Sequence, residues 1–159
     1  MPSAVFHIRR FKPSDLIGMY AVRRSAICDI AARDYSPSQI AAWVGGDDDH
    51  VARLARFVGS LTWAAEQGGE IIGFTNLAEG GYLDCLYVHG AHQRKGVAQS
   101  LFQALKVAAT DRGERRLHSQ VSLTARGFFE RQGFIVTTPE TVRSNGQAYL
   151  VFQMEKPLQ

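Results

Sequence analysis

A short basic loop, Gln93-Arg94-Lys95-Gly96-Val97-Ala98, separates an apolar run ending at Val88 from a run with helical spacing that starts at Val97. The first amides of a helix have no partner inside it, and its dipole draws anions to that end. Gly96 lets the backbone approach a bound oxygen closely, Ala98 keeps the first turn small, and Arg94 and Lys95 add positive charge. This pattern could hold a pyrophosphate-like anion. It could equally be a solvated basic loop with a tight helix start. Two other phosphate loops are excluded, because the chain has neither GxxxxGK[ST] nor GxGxxG.

Other reactive residues carry weaker signals. Asp47, Asp48 and Asp49 are adjacent, but no Gly and terminal Glu follow at calcium-loop spacing, so they read as a turn that caps the next helix. Cys28 and Cys85 are the only cysteines and form no CxxC. That argues against a disulfide framework or a metal site and for a reducing compartment.

The loop must be positioned by what surrounds it. Residues 4–11 alternate in part and read as a strand. Pro13-Ser14-Asp15 opens a helix to about residue 32, with Leu16, Met19, Tyr20 and Ile27 on its apolar face and Arg23 and Arg24 on its solvated side. Tyr35-Ser36-Pro37 interrupts it, and short helices follow over 37–44 and 50–57. Strands are expected over 61–66, 70–77 and 82–88, turned by Gln67-Gly68-Gly69 and Glu79-Gly80-Gly81. Then come a helix over 97–111, a strand over 115–121 and a helix over 124–131. Strands over 134–142 and 147–154 close the chain, joined through Ser144-Asn145-Gly146, a strong hairpin signal. This order implies an α+β fold: a largely antiparallel mixed sheet of about seven strands, flanked by helices, with one crossover between strands four and five.

The 159 residues, 45% hydrophobic and 21% charged, suit one soluble domain. A net charge of +3 suits a small anionic ligand and does not imply nucleic acid. Arg112, Arg115 and Arg116 follow a helix C-terminus, where basic residues are expected anyway. The N-terminus lacks a leader-like apolar core, and no run approaches the roughly 18 residues of a membrane span. No membrane partner is expected, and the cytoplasm is the expected location.

Gln93-x-x-Gly96-x-Ala98, after a strand ending Leu86-Tyr87-Val88, resembles the acyl-CoA signature Q/R-x-x-G-x-G/A of the GCN5-related N-acetyltransferases (GNAT). Residues 122–134, SLTARGFFERQGF, resemble that family's N-x-x-A-x-x-F-Y-E-x-x-G-F stretch. The element order agrees from end to end, and the segment around Tyr35-Ser36-Pro37 resembles small bacterial members. The resemblance implies the GNAT acyl-CoA N-acyltransferase fold. It also implies an enzyme that moves the acetyl group of acetyl-CoA to a primary amine, on a small molecule or peptide, by direct attack on the thioester.

Carried onto this chain, the resemblance implies a strand four that splays from strand five at a bulge, with pantetheine in the gap. The Leu86, Tyr87 and Val88 segment would bond the thioester and pantetheine, the Leu86 amide facing the oxyanion. Gln93, Arg94, Lys95, Gly96, Val97, Ala98 and Gln99 would hold the pyrophosphate, with Ser100 nearby. Ser122, in place of the family's Asn, and Phe128 would lie beside the cofactor. An alkyl amine of pKa ~10.4 is mostly protonated at neutral pH, so a base must take its proton. Family members place such bases on strand four, where this chain has Tyr82 and Asp84, two apart and on one face. Asp84 is chemically the better base; otherwise it is a strand-end acceptor and Tyr82 a pocket wall.

One departure concerns the general acid. The Tyr of F-Y-E is Phe129 here, which cannot donate a proton. Tyr149 and His118 are candidate substitutes, each otherwise an ordinary sheet residue, or a thiolate of pKa ~8.5 leaves unassisted. Phe129 also motivates a second reading, a non-catalytic acyl-CoA-binding or sensing module. Cys85 alternates away from Asp84 and reads as a buried thiol. The implied acceptor pocket contains Tyr35, Trp43, the Asp47–Asp49 turn and Tyr149, aromatics and carboxylates that would suit an amine or cation. Dimerisation is common in the family, so a homodimer is among the implied assemblies.

Overall fold

The computed structural model describes residues 5–45 and 50–159; the expected 47–49 turn lies outside them. Asn145 and Gly146 take φ values of 50° and 79°, the left-handed pair that a two-residue hairpin with native twist requires. They join β6 (Ile135–Ser144) to β7 (Gln147–Pro157). The other strands are β1 (His7–Arg10), β2 (Leu61–Gln67), β3 (Glu70–Ala78), β4 (Tyr82–Val88) and β5 (Arg116–Ser122). Together they make one seven-stranded sheet in the order β1-β2-β3-β4-β5-β7-β6. Every neighbouring pair is antiparallel except β4 with β5. This is the largely antiparallel mixed sheet that the element order implied.

Helices cover both faces. α4 (Val97–Asp111) is the crossover between β4 and β5. Its buried residues Val97, Leu101, Phe102, Leu105 and Ala109 recur at helical spacing and pack with Leu83, Leu117 and Phe129 in the main core. Each large apolar side chain so buried contributes roughly 1.5–3 kcal/mol. α5 (Arg126–Arg131) brings Phe129 to the same core. It starts two residues later than expected, because the Ser122 hydroxyl accepts the Ala125 N–H (3.1 Å) and holds a turn there. On the opposite face, Met19 and Val22 of α1 (Leu16–Ser25) and Phe57 of α3 (His50–Val58) pack over Phe74. α2 (Pro37–Gly45) lies against β7. No helix among the described residues is long and apolar enough to cross a membrane.

The helix expected from Pro13 to about residue 32 changes pitch along its length. It begins as a 3-10 turn (Pro13–Asp15), continues as α1, widens into a π turn (Ala26–Ile30) and ends as 3-10 (Ala31–Arg33). Ile27 is fully buried within the π turn. Such turns recur at functional sites. Arg24 is exposed as expected, but Arg23 is half-buried. Its guanidinium donates to the Trp43 carbonyl (2.9 Å), because α2 packs over that side of the helix.

Asp15 anchors the start of α1. Its carboxylate accepts the Lys12 N–H (2.9 Å) and two N–H groups of Arg9 (both 2.8 Å). Burial alone would raise its pKa, but the bonds from Arg9 and Lys12 outweigh burial and hold it below the ordinary value. Folding thus favours the ionised form. The stabilisation is complete above the unfolded-state value, near pH ~4, and is lost as pH falls through the lower folded value. Asp15→Asn is expected to cost about 3 kcal/mol at pH 7, with the Tm gap to wild type closing in acid. Melts that keep the full gap under strongly acidic conditions would detach the effect from this charge.

Candidate active site

Between β3 and β4 the register steps from Asn76–Cys85 to Leu77–Leu83, leaving Asp84 without a cross-strand partner. Asn76, fully buried, fills the break. Its Oδ1 accepts the Cys85 N–H (3.0 Å), and its amide donates to Asp84 Oδ2 (2.9 Å) and Ser60 Oγ (3.0 Å). A bulge of this kind redirects side chains beside active sites.

β4 and β5 pair as a ladder only at Tyr82 and His118. Side chains then take over. The Ser119 hydroxyl donates to the Leu83 carbonyl (2.7 Å). Beyond Leu83 the two strands part. The His89 N–H donates back to Ile72 of β3 (2.9 Å). Antiparallel ladder bonds alternate, so Tyr87 and Cys85 also face β3, and the main-chain groups of Leu86 and Val88 face the gap. The Gln93 amide takes the Val88 carbonyl (2.7 Å) and so ties the basic loop to the end of β4.

Gly96 is the N-cap of α4, at φ 83° with no side-chain cap. The first helical bond runs from the Ser100 N–H to the Gly96 carbonyl (3.0 Å). The amides of Val97, Ala98 and Gln99 therefore point out of the helix end. A cavity of about 1040 Å³ joins this end to the gap between β4 and β5. Gln93, Arg94, Gly96, Val97, Ala98 and Gln99 line one stretch of it, and Leu86, Val88, Ser122 and Phe128 another. Lys95 is exposed in the loop, and Ser100 is half-buried one turn into α4. The uncapped amides, the splayed strands and the length of the groove fit a pyrophosphate followed by an extended, amide-containing arm.

A second cavity, about 490 Å³, lies across β4. Tyr35, Trp43, Tyr82 and Tyr149 line it, together with Arg23, Arg53 and Arg56. The two cavities share Trp43, Asp84, Cys85, Tyr87, Gln120 and Ser122. Among the described residues, Asp84 is the only carboxylate at that junction.

The junction groups differ in chemistry. Asp84 is held bidentately by Arg56, through Nε (2.6 Å) and Nη2. That bond keeps the Arg56 guanidinium more firmly protonated than usual despite its burial. Cys85 lines both cavities with Asp84, against the expected alternation, because the bulge inserts Asp84 between paired residues. Burial, and then the Asp84 charge, push its thiol up to about 12, so it stays protonated and is a poor nucleophile. Burial raises the pKa of the Tyr87 hydroxyl, and the nearby Arg23 and Trp43 offset part of that rise.

The remaining phenols serve the scaffold. Tyr149 donates to the Gln39 carbonyl (2.7 Å). Tyr35 donates to the Leu150 carbonyl and accepts the Leu123 N–H (both 2.9 Å). With Trp43 they form an aromatic wall, with ring centroids 5.6–6.2 Å apart. The Tyr82 ring lies 5.1 Å from that of His118. Phe129 is buried and packs on Phe134 at 4.9 Å.

Residues 31–156 match the acetyltransferase (GNAT) domain profile. The chain belongs to the GNAT family. It is 32% identical over 148 residues to the uncharacterized N-acetyltransferase YafP of Escherichia coli (strain K12), covering 92% of this chain and 93% of that protein. A GCN5-related N-acetyltransferase structure from Rhodopseudomonas palustris superposes with a TM-score of 0.92 at 32% identity, covering 99% of both chains. PaiA N-acetyltransferase from Thermoplasma acidophilum, solved with coenzyme A, shares the fold, with a TM-score of 0.79 at 22% identity over 97% of this chain and 99% of that one. GNAT enzymes use acetyl-CoA, and the long groove has the donors that such a cofactor needs.

Sequence reasoning did not bring Arg23, Arg53, Arg56 and Asn76 to this site. Arg53 and Arg56 are three apart in HVARLARFV and share a helix face, which was a readable signal. Asn76 inside an apolar strand was another, since a buried amide needs partners.

Proposed function

We propose that the chain transfers the acetyl group of acetyl-CoA to a primary amine by direct attack. The supporting observation is the meeting of a cofactor-shaped groove and a separate acceptor-sized cavity at the β4 bulge. Acetyl-CoA supplies an activated thioester. The outward amides of α4, with Gln93, Arg94 and Lys95 around them, hold the pyrophosphate. Leu86 and Val88 orient the pantetheine arm, and the Leu86 N–H stabilises developing charge on the carbonyl oxygen. Ser122 and Phe128 close the groove beside it.

Asp84 takes the amine proton, directly or through a water, while Arg56 and Asn76 fix its orientation. Tyr82 walls the pocket. Phe129 is core, and Tyr149 is committed to Gln39, so Tyr87 is the phenol placed at the junction to return a proton to the departing sulfur. The high Cys85 pKa argues against an acetyl-cysteine route. The two free thiols, Cys28 and Cys85, suit a reducing cytoplasm.

The test combines a thermal-shift titration with thiol release. Acetyl-CoA should raise Tm by mass action, about 2.7 kcal/mol of stabilisation at a hundredfold excess over Kd. Thiol release should then require an added amine. Stabilisation without turnover across a broad amine panel would make the chain a binding module instead.

A further inference from the structure

The geometry points to an acceptor that carries an anionic group, most simply a carboxylate, a few bonds from its amine, with Arg23 as the residue that receives it. This rests on the second cavity being the amine-acceptor site. Arg23 is half-buried on α1, and its guanidinium donates to a neutral group, the Trp43 carbonyl (2.9 Å). Among the described residues, no carboxylate lies within ion-pair distance of it. The one carboxylate among the described residues that lines this cavity, Asp84, is already engaged by Arg56. A guanidinium withdrawn from water needs a counter-charge, and its planar fork matches a carboxylate or phosphonate.

The rest of the cavity agrees. Arg53, largely buried, lines it too, with its guanidinium 5.4 Å from the Tyr20 ring centroid. The aromatic wall of Tyr35, Trp43 and Tyr149 would by itself welcome a cation, as the sequence suggested. Cationic neighbours reverse that preference and work against diamines and polyamines. They also lower the pKa of a bound amine, which favours the neutral form that attacks the thioester. Arg23 and Tyr87 line the same cavity, and Tyr87 lines the junction, so the anion and the amine must be close together in the acceptor. The cavity of about 490 Å³ is sized for a small molecule.

The experiment measures thiol release from acetyl-CoA by the full-length protein with matched acceptors: β-alanine, β-alaninamide, 2-aminoethylphosphonate and 1,3-diaminopropane. Rates are compared per unprotonated amine. The expected result is a kcat/KM for β-alanine, the phosphonate or both at least about tenfold above that of the amide, expressed in KM, with the diamine poorest. The relative rates of the two anionic acceptors distinguish carboxylate from phosphonate recognition. Arg23→Gln should erase the preference, read as the ratio of anionic to amide acceptor within the variant, while the acetyl-CoA thermal shift stays as in wild type, and Arg23→Lys should restore part of it. An amide or diamine that outperforms both anionic acceptors overturns the inference and leaves amine transfer standing. So does a preference that survives Arg23→Gln. Acetyl-CoA binding with turnover of no acceptor overturns amine transfer and this inference together. If Arg23→Gln does not fold, the wild-type panel decides alone.

Discussion

Placing a glutamate at Ala98 should raise the KM for acetyl-CoA by about a hundredfold or more while leaving the fold intact or slightly firmer. Ala98 lies in the first turn of α4 and lines the long groove. A carboxylate there would stand against the pyrophosphate. Two unit charges about 4 Å apart at a protein surface repel by roughly 4 kcal/mol, and even half of that is more than tenfold in affinity. The same carboxylate suits the positive end of the helix and should contribute ~0.3–1 kcal/mol to stability. Opposite signs for binding and Tm separate this prediction from general damage. Ala98→Gln has nearly the same bulk without the charge and should lose much less affinity. If both variants bind acetyl-CoA as wild type does, the helix end is not the pyrophosphate site.

The parts of the site that are local in the chain were legible in its sequence. β4 and α4 span the expected residues, since a β-rich apolar run covers 82–88 and a helical period covers 97–111. The outward amides of α4 follow from Gly96 and the absence of a capping side chain. The Asn145-Gly146 hairpin needed only its two residues.

Features that depend on a second layer of structure were hidden. Arg23 and Arg24 are adjacent and look alike in sequence. Only the packing of α2 against the end of their helix makes one a half-buried donor and leaves the other in water. Alternation along β4 predicted opposite faces for Asp84 and Cys85, and the bulge held by Asn76 removed that alternation. A π turn has no composition cue of its own, so the widening at Ala26–Ile30 could not be read. The same limit explains Tyr149. Its place on the last strand was readable, but the Gln39 carbonyl that takes its proton comes from a helix more than a hundred residues earlier.

Replacing Asp84 with Asn is expected to lower kcat/KM by about two to four orders of magnitude, the usual contribution of a positioned proton acceptor. An Asn side chain also turns an NH2 toward Arg56 or Asn76, each of which donates to a carboxylate oxygen in the wild type, so some loss could come from disorder. Rescue by an external base separates the two causes. If the base is what was lost, the rate should recover toward alkaline pH or with added buffer base, as solvent or buffer takes over the proton. Disorder of the site would leave the rate low throughout. Arg56→Gln is the companion variant. It keeps the carboxylate and removes its clamp, so it should show a smaller fall in rate and no rescue by added base. Both variants should keep the acetyl-CoA thermal shift, because neither residue is assigned to hold the cofactor. An Asp84→Asn enzyme with the wild-type pH profile would remove Asp84 as the base. The proton would then have to leave through water in the acceptor cavity, with the arginines around it lowering the amine's pKa enough for unassisted loss.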